Sequence, residues 1–120
     1  MTVLSAIRGD DETYELTITD RNDVPINLTG CLLWFTVKRD ESETDAQALA
    51  QKTIGAGITV VNAANGRADV RLAAADTAAL SGKRAKLVWD CQIKDAAGLV
   101  STVDSGALLV DADVTRSSGA

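Results

Sequence analysis

Few side chains in this chain are of a type and spacing that could do chemistry, and each admits a plainer reading. Arg8-Gly9-Asp10 spells the tripeptide that animal integrins recognise on exposed loops. A three-residue match carries little information, and the same residues lead into the first long strand, where glycine marks a turn or bulge. A turn is the expectation. Asn27-Leu28-Thr29 is a formal N-glycosylation acceptor, which matters only in a eukaryotic secretory pathway. Acidic groups at Asp10/Asp11/Glu12, Asp20/Asp23, Asp40/Glu41/Glu43/Asp45 and Asp111/Asp113 offer oxygen ligands. None has the Asp-x-Asp-x-Asp-Gly loop with a downstream bidentate Glu that organises calcium, so a solvated acidic surface is expected. Paired carboxylates could flank a glycosidic bond, but aromatic residues are 3% of the chain. With Trp34, Trp89 and Phe35 all in strands expected to be central, few rings remain as a sugar platform.

The sequence contains no histidine, which removes the usual proton shuttle near neutral pH and every nucleophile that depends on an imidazole base. No catalytic residue, cofactor or metal is expected. Two cysteines, Cys31 and Cys91, cannot supply the four nitrogen or sulfur ligands of a structural zinc site. A formal charge of -5 opposes the phosphate neutralisation on which nucleic-acid affinity rests. No apolar run approaches the roughly 18 residues of a membrane span, and the apolar stretch at the N-terminus is too short for a signal peptide. Binding to nucleic acid or membrane is therefore not expected, and the chain is expected to be made in a cytoplasm.

The elements that must carry these residues are strands. At 120 residues the chain is of a size for one core, and alternation of period two dominates it. Tyr14, Leu16 and Ile18 alternate with Thr and Glu, and Asp20 to Pro25 is a tight connection. The nearly continuous apolar run Cys31 to Lys38 is a central strand by its β-branched and aromatic content. Asp40 to Gln51 has helix propensity but no wide apolar stripe, and fits a loop equally well. It leads into a strand near Ala50 to Ile54. Ile58 to Val61 and Arg67 to Leu72 form a hairpin about Asn65-Gly66. Ala73 to Ser81 makes a single helical turn, with Asp76 as N-cap and Gly82 as its stop. Leu87, Trp89, Cys91 and Ile93 share one face of a strand. Leu99 to Val110 closes the fold with one or two strands interrupted near Ser105-Gly106. Seven to eight short strands make an all-β sandwich over residues 1–114, followed by a flexible tail at 115–120.

Three segments together resemble the immunoglobulin-like domains of tailed-phage virion proteins, including the N-terminal domain of the phage baseplate upper protein family. They are Ile7-Arg8-Gly9-Asp10-Asp11-Glu12-Thr13, then Val24-Pro25-Ile26-Asn27-Leu28-Thr29-Gly30 leading into Leu33 to Lys38, and a closing unit. That unit runs from Gly66 to Leu72, through Ala75 to Leu80 and Val88 to Ile93, to Ser105-Gly106-Ala107-Leu108-Leu109-Val110. The resemblance covers nearly the whole chain. It implies an immunoglobulin-like antiparallel β-sandwich and a non-enzymatic structural protein of the virion, associated with tail or baseplate or with the capsid surface. Its expected partners are other phage virion proteins and copies of itself.

An immunoglobulin-type disulfide packs against a tryptophan, but Trp34 follows Cys31 too closely for that arrangement. Two buried free thiols are expected instead. If Leu33, Phe35 and Val37 point inward, Trp34 points outward, and an outward tryptophan on a central strand suggests a covered surface. The candidate interface is Trp34 with Asp40, Glu41 and Glu43 of the following loop. The alternative function from another class is a carbohydrate-binding or host-adhesive module, which needs an exposed aromatic or a calcium-organised site.

Overall fold

Alternation in the sequence becomes two sides of a sheet. The computed structural model describes residues 2–78, 80 and 84–112. The strands are β1 (Thr2–Ile7), β2 (Glu12–Thr17), β3 (Leu32–Lys38), β4 (Ala50–Ile54), β5 (Gly57–Asn62), β6 (Arg67–Leu72), β7 (Arg84–Lys94) and β8 (Val100–Asp111). Leu33, Phe35 and Val37 of β3, Ala68, Val70 and Leu72 of β6, and Leu87, Trp89, Cys91 and Ile93 of β7 are all buried. They belong to a single hydrophobic cluster. Within it the Phe35 and Trp89 rings stack with centroids 5.2 Å apart and planes 25° from parallel, a pairing that adds about 0.5–1.5 kcal/mol to simple area burial.

The all-β, sandwich-like architecture expected from alternation is the one that forms, with its strands bonded in one continuous sheet of order β1-β8-β7-β3-β4-β5-β6-β2. The two edge strands are consecutive in the chain and come close: the Tyr14 hydroxyl of β2 donates to the Ser5 carbonyl of β1 at 2.9 Å. The sheet therefore curls into a nearly closed barrel around its core. Among the described pairings two are parallel, β1 with β8 and β4 with β5. The second is only two residues long. Parallel neighbours normally need a crossover of a dozen or more residues. Here the chain makes one tight sideways coil at Gly55 and Gly57, both at positive φ. At Gly57 a Cβ would lie 2.5 Å from the Lys52 side chain.

β1 is a strand that the sequence does not announce. Its outward residues Val3 and Ile7 are exposed while the small Ala6 is buried, so its apolar pattern is the reverse of an ordinary core strand. β8 corrects a second expectation, because it runs unbroken through Ser105-Gly106. Its irregularity lies between Asp104 and Thr102, which pair with Cys91 and Gln92. Val103 is the extra residue of that bulge, and it packs against the core.

The connections follow their turn chemistry. Asp20 Oδ1 accepts from the backbone N–H groups of Asn22 and Val24, at 2.8 and 3.1 Å. Of the stretch Asp40 to Gln51, the residues up to Leu49 are a loop holding one 3-10 turn at Asp45–Gln47, and Ala50 and Gln51 already belong to β4. Helix α1 (Ala74–Ala78) starts differently from expectation. Asp76 lies inside its first turn, where Oδ2 accepts from the Ala73 N–H at 2.7 Å and pairs with Lys52 Nζ at 2.8 Å. Asp11, reaching in from before β2, accepts from the Ala74 N–H at 2.8 Å. The expected stop at Gly82 and the expected tail at 115–120 lie outside the described residues.

Candidate functional site

Because β3 and β7 carry their apolar residues inward, the remaining residues of both strands build one outward face in cross-strand rows. Antiparallel pairing sets Leu32 opposite Lys94, Trp34 opposite Gln92, Thr36 opposite Asp90 and Lys38 opposite Val88. β8 extends the rows with Val100 beside Lys94, Thr102 beside Gln92 and Ser105 beside Asp90. On the other flank, Thr53 and Gln51 of β4 stand beside Trp34 and Thr36, and the Gln51 amide donates to Thr36 Oγ1 at 3.1 Å. Between the loop after β3 and the start of β8 this face sinks into a groove of about 660 Å³ that Trp34 lines. Trp34 is half-buried there.

The groove's charges are largely settled among themselves. Lys38 Nζ lies 3.0 Å from Asp45 Oδ1, and that lysine holds the Asp45 carboxyl below its ordinary value by hydrogen bond and charge. The half-buried Asp90 carboxyl is raised, chiefly by desolvation; Lys38 pulls it down and Asp45 adds to the rise. At the β7–β8 turn the face becomes apolar and open: Leu32, Leu99 and Val100 are 52%, 68% and 59% exposed.

Of the expected interface residues, Trp34 and Glu41 line the groove together. Asp40 and Glu43 are absent from its lining and serve the loop instead. Asp40 Oδ1 accepts from the Ser42 N–H at 2.8 Å, a bond that holds its carboxyl below the ordinary value. Glu43 Oε1 accepts from the Arg39 N–H at 2.6 Å. Lys38, Asp90 and Gln92 were not singled out from the sequence, and Asp45 was named there only among the acidic groups. Parity along β3 and β7 places the first three on Trp34's side, whereas Asp45 joins them only because the loop folds back.

The other sequence features are structural. Arg8 is 9% exposed, its Nη1 donates to the Leu80 carbonyl at 2.7 Å, and the Gly9 N–H donates to Thr77 Oγ1 at 2.9 Å. The Arg-Gly-Asp sequence is thus a tucked turn rather than an exposed loop tip. Cys31 and Cys91 are buried and free. Burial pushes the Cys91 thiol up to about 12, with the Asp90 and Asp104 charges adding to the shift. Among the described residues no three His, Cys, Asp or Glu side chains gather as a metal site, and no helix is long and apolar enough to cross a membrane.

No protein-family model matches the chain, and no curated protein matches it. Among solved structures, the N-terminal domain of phage TP901-1 ORF48 superposes with a TM-score of 0.46 at 14% identity, over 92% of this chain and 94% of that one. AggA, the major subunit of aggregative adherence fimbriae type I from Escherichia coli, superposes with a TM-score of 0.37 at 10% identity, over 93% and 91% of the two chains.

Proposed function

We propose that this domain is a non-enzymatic structural protein of a bacteriophage virion, at the tail, the baseplate or the capsid surface, which works by docking on other virion proteins and on copies of itself. The observation that carries the mode of action is the open end of the β3–β7–β8 face, where Leu32 and Val100 stand exposed on either side of Lys94 and the exposed Leu99 precedes Val100 in the turn. Large apolar side chains left exposed together at one end of a sheet, among polar residues, mark protein contact sites. The virion assignment rests on the ordered segments of the sequence that resemble phage structural domains. Catalysis, a cofactor and nucleic acid have no part in this reading.

The contact centres on Leu99 and Val100, of which Val100 also lines the groove that holds the half-buried Trp34 ring. The expected outcome is self-association of the wild type in analytical ultracentrifugation, and its incorporation into virions assembled in its presence. Leu99→Asp and Val100→Asp, both at exposed positions, are expected to weaken association by about 2 kcal/mol or more if they sit at the centre of the contact, with unchanged circular dichroism. A wild-type protein that stays monomeric at high concentration and never enters particles would refute the assembly reading.

A further inference from the structure

We infer that the groove beside this contact is a subsite for a short, neutral oligosaccharide, with Trp34 as its stacking platform. The proposal goes beyond the assembly reading and uses different residues. A pyranose ring presents a face of C–H groups and a rim of hydroxyls that both donate and accept. A site for it combines an aromatic surface with side chains that can do both kinds of hydrogen bonding.

The outward rows supply this set. Trp34 has Gln92 directly across β7 and Thr102 one strand further. The amide offers donors and an acceptor and the hydroxyl offers both roles. The next row adds the half-buried carboxylate of Asp90. Alternation along β3 turns Trp34 outward, and the pairing of β3 with β7 is what sets an amide beside it.

Charge selects within the class of sugars. Two of the lining charges, Lys38 and Asp45, engage each other at 3.0 Å, and the lining residues Glu41 and Lys94 are of opposite sign. The groove therefore has no uncommitted cluster of one sign to recruit an acidic sugar or a phosphate. Its volume of about 660 Å³ lies inside the roughly 300–1,000 Å³ range of small-molecule sites.

The test is titration of the folded full chain with maltotriose, cellotriose and chitotriose, and with trigalacturonate as the anionic counterpart, followed by tryptophan fluorescence. Trp89 is almost fully buried but also lines the groove, so the Trp34→Phe variant shows which ring carries the signal. Saturable binding of at least one neutral trisaccharide is expected, with a Kd on the order of 1 mM. Trp34→Ala should weaken it about tenfold or more, read by calorimetry because the Trp34 ring is gone. Gln92→Ala should weaken it several-fold, and Trp34→Phe, which keeps a smaller ring, should fall between. If Trp34→Ala does not fold, the other two variants carry the test.

Absence of saturable binding by all three neutral sugars overturns the proposal. So does binding that none of the variants affects, or tighter binding of trigalacturonate. Leu99→Asp separates the two readings, since it should lose association and keep the sugar. A wild type that associates but binds no sugar leaves the assembly reading standing and removes this one.

Discussion

Tyr14 and Cys91 are weak acids that the fold keeps neutral. Desolvation, with the Glu12 charge behind it, pushes the Tyr14 phenol from 10.0 to about 12, and burial takes the Cys91 thiol from 9.0 to about 12. For an acid whose pKa rises on folding, the stabilising contribution is complete below the unfolded value and disappears as pH climbs through the folded one. Stability should therefore hold to about pH 9 and decline between 9 and 12 on account of these two groups. Tyr14→Phe should lose the hydroxyl's bond to Ser5 at neutral pH and also show a shallower decline above pH 10, checked by urea denaturation at each pH. Equal slopes for wild type and variant would contradict the shift. At this scale the sequence was informative where parity alone decides, as with Trp34 outward and Cys91 inward. It was uninformative about Asp90 and Asp45, whose surroundings depend on a loop returning across the sheet.

Strands and turns were legible wherever local chemistry decides them, and Gly66 shows how firmly. It ends the turn between β5 and β6 at φ 69°, and a Cβ there would lie 2.5 Å from the Ile18 carbonyl and 2.9 Å from that of Ile26. Both the backbone angle and the close approach of foreign backbone demand glycine. Gly66→Ala is expected to destabilise the protein by more than about 1 kcal/mol, since the conformational strain and the clash add; thermal denaturation measures it. An unchanged melting temperature would mean the Ile18–Ile26 segment can retreat freely. Legibility failed where an element is fixed from outside itself. β1 is a strand because β8 offers it an edge, and α1 is held at its start by Asp11, which accepts the Ala74 N–H from 63 residues away, and a local pattern records neither.

For the whole molecule, an all-β fold with one core followed from alternation and length, but the closure of the sheet did not, because it depends on which edges meet. One of the two edges that meet, β1, is itself held by a late strand: Thr2 to Ile7 lie in register with Gly106 to Asp111, about a hundred residues away in sequence. The loop entropy of such a pairing must be met before the pairing returns anything, and contacts this distant slow folding. During synthesis the first strand leaves the ribosome with its partner still unmade, and Val3 and Leu4 wait without that neighbour until the codons for β8 are read. Nascent chains stalled before residue 100 should accordingly remain protease-sensitive throughout, acquiring resistance only once the segment to Asp111 has emerged. A resistant intermediate at shorter lengths would show that the barrel can stand without its seam. The sheet is, in this sense, completed only once β8 has been made, and the cell must keep an unfinished, adhesive sheet from finding other chains until then.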